Sequence, residues 1–206
     1  MFTWQERLLR WFIGILVRTI YRVRTTGLGT IPAEGAAIVV ANHVTYVDAL
    51  ILGALAERPV RFVVSQEFYD RWPTSWLFKF CGAIPIVSRR RDPARLQVAL
   101  DRIDATLAAG EVVGIFPEGK LTRDGELCDF RRGIEGILER RPVPVVPVAL
   151  KGLWGSFFSY AGGPPLAKWP RRFWSRIEIV AGRVLDPANV SADGLRHTID
   201  QLIGQP

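Results

Sequence analysis

Apolar residues near the start of the chain recur at helical spacing. Phe2, Leu9, Phe12, Ile13, Leu16 and Ile20 fall on one side of a helix, and Arg7, Arg10, Arg18 and Arg22 on the other. The pattern predicts an amphipathic helix within residues 1–26. After turn residues Gly27 to Pro32, short β-branched apolar runs at 36–40, 61–64, 84–88, 111–116, 143–150 and 176–180 read as strands. Helical spacing follows Asp48 to about Ala56, and an aromatic-rich helical connection interrupted by Pro73 spans Glu67 to Phe80. Pro93 to Ala109 has proline in its first turn and Gly110 beyond its end, the asymmetry expected of a helix. Pro117 to Asp129 and the Gly-, Pro- and Trp-rich stretch Gly152 to Arg172 read as loops. Ala192 to Ile203 aligns Leu195, Ile199, Leu202 and Ile203 as a closing helix. Pro144 and Pro147 predict an edge or bulged position for the fifth strand, because proline donates nothing to a ladder. Strands alternating with helices predict one α/β domain over 27–206, with a mixed, mostly parallel central sheet flanked by helices.

Composition narrows the classes. With 206 residues, 49% hydrophobic and 23% charged, the chain can bury one core and is neither disordered nor collagen-like. Cys81 and Cys128 have no metal-ligand or disulfide spacing, and the two histidines, His43 and His197, exclude a multi-histidine metal site. No metal and no bound cofactor are expected. A net charge of +7 suits phosphate-bearing partners, either nucleic acid or anionic lipid. Seven tryptophans and eleven phenylalanines tilt the expectation toward a membrane surface and away from nucleic acid. The longest apolar run of the first helix, Trp11 to Val17, is at the low edge for a signal core and far short of a bilayer span. That helix either lies in the membrane interface or packs on the domain with a solvated basic edge. Arg7, Arg10, Arg18, Arg22 and Arg24 against Glu6 favour the first.

The chemistry gathers at Asn42-His43-Val44-Thr45-Tyr46-Val47-Asp48, just after a buried strand. Residues five apart in a regular helix lie about 140° apart and cannot face each other. His43 and Asp48 therefore meet only if His43 sits in the elbow between strand and helix and Asp48 in the first helical turn. There the helix dipole favours an ionised carboxylate, which would fix the imidazole tautomer and leave the other nitrogen free to accept a proton. A competing reading is local: Thr45 and Asp48 have capping-box spacing, and Asp48 then only caps the helix.

Further segments extend this element. The His43 to Asp48 spacing, Gly82-Ala83-Ile84-Pro85-Ile86 with Ser88-Arg89-Arg90, Phe116-Pro117-Glu118-Gly119, and Val143-Pro144-Val145-Val146-Pro147-Val148 occur in that order. The set resembles the four motifs of the glycerolipid acyltransferase family, the enzymes that acylate glycerol phosphate and lysophospholipids, and covers about half the chain. Where that family most often continues its third motif with Thr-Arg-Ser, this chain has Lys120-Leu121-Thr122-Arg123, which resembles the lysophosphatidylethanolamine-acylating branch. The usual acid before the second-motif arginine is missing, so either Arg89 or Arg90 matches it.

The resemblance implies an O-acyltransferase with His43 as general base and Asp48 orienting it. The acceptor is a lysophospholipid such as 1-acyl-sn-glycerol-3-phosphate, and the cosubstrate an acyl thioester of acyl carrier protein or coenzyme A. Glu118, Gly119, Lys120, Arg89 and Arg90 would form the phosphate-binding set, with Glu118 catalytic or shaping that loop. Backbone donors near Gly119 or in the 43–48 elbow would stabilise the oxyanion. No Gly-x-Ser-x-Gly elbow occurs, and neither cysteine has a nucleophile signature, so direct transfer without an acyl-enzyme is expected. Trp72, Trp76 and Phe78 would wall an acyl tunnel, dip into lipid, or simply pack in the core. The expected location is the cytoplasmic face of a bacterial inner membrane, peripheral or monotopic. A non-catalytic basic membrane-binding module is the alternative from another class.

Overall fold

The computed structural model describes residues 4–72, 74–169 and 174–205. Helix α1 (Trp4–Ile20) runs directly into strand β1 (Tyr21–Thr26). The boundary expected at residue 26 therefore falls at Ile20. The reason is a change of period: in Tyr21-Arg22-Val23-Arg24 the apolar residues turn inward and the arginines outward, which is strand alternation. Arg22 leaves the helix face and donates from Nε to the Trp174 carbonyl at 2.9 Å. Arg10 also departs from the expected solvated edge, donating to the Ala54 and Ala56 carbonyls at the end of helix α2 (Asp48–Leu55). Phe2 and Pro73 lie outside the described residues.

The remaining elements are β2 (Ala37–Ala41), β3 (Val60–Ser65), α3 (Gln66–Tyr69), α4 (Ser75–Phe80), β4 (Ile84–Ile86), α5 (Pro93–Ala108), β5 (Val112–Ile115), α6 (Gly133–Arg140), β6 (Val145–Lys151), β7 (Ser175–Ala181) and α7 (Ala192–Gly204). They form one α/β domain around a seven-stranded sheet of order β1-β7-β6-β2-β5-β3-β4. All neighbours pair parallel except β6 with β7. Strand β2 lies in the middle and is buried along its whole length, as its unbroken apolar run requires. One face packs Val39, Val112 and Val146 against Val17 of α1 and Ile51 and Leu52 of α2. The other packs Ile38, Val40 and Val113 with Ile103 and Leu107 of α5, Ile134 of α6 and Ile199 of α7.

Strand β6 is not at an edge, as its prolines had suggested, but lies between β2 and β7. Gly182 donates to the Pro147 carbonyl at 2.8 Å, one residue beyond the end of β7. A residue's N–H and C=O point to the same side of a strand, so the donor that Pro147 lacks would have faced this break in the ladder.

Because β2, β5, β3 and β4 are parallel, the loops after them emerge on one side of the sheet. Open α/β sheets bind ligands outside these carboxyl ends.

Candidate active site

Strand β2 ends at Ala41, and Asn42 locks the exit. Its side-chain amide donates to the Leu150 carbonyl at 3.0 Å and its carbonyl oxygen accepts from the Leu150 N–H at 2.7 Å, so a side chain mimics a strand partner. His43 follows in the elbow, and Asp48 opens α2. The ring Nδ1 of His43 lies 2.9 Å from Asp48 Oδ2, with Asp48 fully buried. Asp48 also accepts from the backbone N–H groups of Val44 at 2.6 Å and Thr45 at 2.8 Å, and from the Thr45 hydroxyl. Asp48 does not cap α2, whose N-cap is Val47 without a side-chain cap; its carboxylate instead closes the preceding turn and orients the imidazole. The donated Nδ1–H leaves Nε2 as the acceptor.

The loop after β5 forms the facing wall. Phe116 stacks on the His43 ring with centroids 4.3 Å apart and planes 16° apart. Phe62 stacks on Phe116 at 5.6 Å. Glu118 is only 2% exposed and turns inward. Its oxygens accept from the His43 N–H at 2.6 Å and the Cys128 N–H at 3.0 Å. Burial raises the Glu118 carboxyl above the ordinary glutamate range, against the pull of those two N–H donors. With both oxygens engaged by backbone N–H groups, this buried carboxyl holds the His43 backbone against the loop. Thr122 N–H donates to the His43 carbonyl at 3.0 Å, a third tie between elbow and loop.

The elbow's backbone donors, and that of Gly119, are engaged within the protein. Val44 and Thr45 serve Asp48, Tyr46 donates to the Phe158 carbonyl, Val47 to the Thr45 hydroxyl, and Gly119 to the Phe116 carbonyl. Gly119 has φ +64, a conformation glycine adopts without strain. Gly119 and Lys120 are exposed beside the imidazole. Arg89 and Arg90 are exposed too, but they follow β4, three strands from β2, which is about 14 Å across the sheet. The next residue, Arg91, pairs with Glu67 of α3.

Sequence reasoning did not single out several residues at this site. Arg123 lies over the Tyr160 ring at 4.3 Å, and the Tyr160 hydroxyl is 3.4 Å from that of Tyr46. This contact draws the 152–169 segment onto the His43 elbow. Arg131 packs against Gly119: a Cβ built there would lie 2.7 Å from the guanidinium carbon. The signal in the sequence was Phe130 beside the basic pair Arg131-Arg132, just beyond the loop read as Pro117 to Asp129.

Phe78 lines a solvent-open cavity between α1, α2, β3 and α4. Leu9, Ile13, Ala49, Gly53, Val64 and Leu77 give it an apolar wall, and Glu6, Arg10 and Arg61 its polar part. Trp72 and Trp76 instead face outward, 86% and 62% exposed. Among the described residues, no group of three or more His, Cys, Asp or Glu side chains is placed to hold a metal ion. No described helix is long and apolar enough to cross a membrane.

This arrangement has relatives. A chloroplastic 1-acyl-sn-glycerol-3-phosphate acyltransferase of Arabidopsis thaliana is 28% identical over 140 residues, 68% of this chain and 38% of its own length. A lyso-ornithine lipid O-acyltransferase of Pseudomonas aeruginosa is 32% identical over 148 residues, 71% of this chain and 54% of the relative. Across such curated relatives, the chain spans as little as 38% and as much as 59% of their length. The crystal structure of the 1-acyl-sn-glycerophosphate acyltransferase PlsC from Thermotoga maritima shares the fold. It has a TM-score of 0.74 at 20% identity, covering 96% of this chain and 76% of that one. The family model described as Acyltransferase matches residues 22–151, from β1 through β6, and so takes in the His43 elbow and the Glu118 loop. The chain belongs to the acyltransferase family.

Proposed function

We propose that this chain transfers a fatty acyl group from an acyl thioester, of acyl carrier protein or coenzyme A, to the free hydroxyl of a lysophospholipid such as 1-acyl-sn-glycerol-3-phosphate. The observation that carries the reading is the His43 and Asp48 pair at the strand-to-helix elbow, tied by Glu118 to an exposed cationic loop. In the reaction, His43 Nε2 takes the proton from the acceptor hydroxyl while Asp48 steadies the forming imidazolium. The oxygen attacks the thioester carbonyl, the carbon–sulfur bond of the tetrahedral adduct breaks, and the leaving thiolate takes the proton back from His43. Products are the doubly acylated lipid and the free thiol.

The mostly apolar wall of this cavity suits an acyl chain. Phe62 of its wall is two stacked rings from His43. An interfacial location is supported by a stripe of exposed apolar side chains on α1, namely Trp4, Leu8, Trp11, Phe12, Ile15 and Leu16, with Trp72 and Trp76 as further anchors. Lipid binding alone would leave the dyad and its three ties to the loop without a use.

The test is acyl transfer from labelled donor to a panel of lysophosphatidate, lysophosphatidylethanolamine and lyso-ornithine lipid. The His43→Ala variant is expected to fold with turnover reduced by about three orders of magnitude or more. Near-parental turnover in that variant would remove His43 from the chemistry.

A further inference from the structure

The acceptor hydroxyl that His43 deprotonates sits close to the lipid's phosphate: in a glycerol 3-phosphate ester, the two oxygens are on adjacent carbons. The anchoring cation therefore has to lie beside the elbow, not several strands away. Arg89 and Arg90 leave the sheet after β4, at the edge. Arg131 lies at the elbow's own wall. Its backbone N–H donates to the Pro117 carbonyl at 2.9 Å, and Phe130 beside it is buried. The neighbouring tie from the Cys128 N–H to Glu118 holds the same segment against the catalytic loop. The guanidinium covers the open face of Gly119, where any Cβ would collide with Cζ, Nε or Nη1 at 2.7 to 3.1 Å.

Among the described residues, no carboxylate lies within ion-pair distance of Arg131 or Lys120. Two exposed cations thus flank a glycine whose predecessor, Glu118, is hydrogen-bonded to the His43 backbone. A guanidinium fork matches a phosphate in a two-point contact, and a second, compact ammonium suits the second charge of a monoester. The geometry points to Arg131 as the residue that, with Lys120, binds the acceptor's phosphate and favours a phosphomonoester over the singly charged diester of an ethanolamine lipid. This rests on the acyl-transfer reading and names the headgroup it selects.

Two measurements test it. Steady-state kinetics with lysophosphatidate should show the acceptor KM raised about ten- to a hundredfold in Arg131→Ala, with the donor KM and kcat nearly parental. Arg131→Lys should recover part of that loss. Arg132→Ala, one residue on, should match the parent. Calorimetry with water-soluble 1-hexanoyl-lysophosphatidate on the His43→Ala background reads binding without turnover, and the same Arg131 substitution should abolish it. An unchanged acceptor KM with undiminished binding overturns the assignment. So does a rise confined to the donor KM, or a parental preference for the ethanolamine or ornithine lipid. If the parent transfers acyl groups to none of the panel, the function itself falls, and the calorimetry still decides whether Arg131 binds a phosphomonoester.

Discussion

Asp48 accepts four hydrogen bonds from a fully buried position, and only one comes from His43. Asp48→Asn would set an amide NH2 or a single carbonyl against four donors. We expect kcat to fall by about three to four orders of magnitude with stability lower by about 1–3 kcal/mol, checked by steady-state rates and urea unfolding. Glu118 carries a different signature. Its carboxyl is raised by burial, so between the ordinary glutamate value and the raised native one the native state keeps a proton that the unfolded chain has released. Stability from this group is full below that value and is lost as pH rises through the raised native one. The parent's unfolding free energy, measured relative to Glu118→Gln, should therefore decline across that window. An opposite slope would show the buried carboxyl to favour its charged form. The glutamine keeps one acceptor for two N–H donors, so it should also lower kcat through looser placement of the His43 backbone.

At the level of elements, α1 has two apolar faces. Ile13, Val17 and Ile20 pack on the core, while Leu8, Trp11 and Ile15 remain outside. Packing therefore does not account for the outer stripe. Replacing Leu8, Trp11 and Ile15 together with glutamine should leave thermal stability within about 1 kcal/mol, because the positions are exposed. Co-sedimentation with vesicles containing anionic lipid should weaken by at least about tenfold, since each side chain contributes up to 1.5–3 kcal/mol when fully buried in an apolar phase. Equal vesicle binding would place the membrane contact elsewhere. The short alternating strand β1 shows why the end of this helix escaped the sequence: its arginines continue the basic face of α1 in number, and only their period differs.

The cavity belongs to the whole molecule, since no single element encloses it. Gly53 of α2 lines it, and a Cβ there meets Phe62 only at an ordinary contact of 3.4 Å. Gly53→Leu should thus fill space without strain in the helix. With the cavity as the acyl site, kcat/KM across donors of increasing chain length should shift toward shorter chains, losing about three- to fourfold per excluded methylene. An unchanged profile would move the acyl chain to another surface.

Sequence alone determined which groups the elbow brings together: an imidazole and a carboxylate five apart after a buried strand, then a Glu-Gly loop after another. These are local facts, because elbow geometry and helix start follow from neighbouring residues. The alternation of strands and helices was equally readable from period and punctuation. Tertiary structure alone decided what lay between distant segments. It put β6 inside the sheet despite two prolines, because the donor that Pro147 lacks faces the point where β7 ends. It turned Glu118 inward onto the His43 backbone, and it committed the elbow's N–H groups elsewhere. It also set Arg89 and Arg90 at the sheet's edge while bringing Arg131 against Gly119. Strand order comes from non-local pairing, which no window of sequence contains, and the distance from a cation to the imidazole depends on that order.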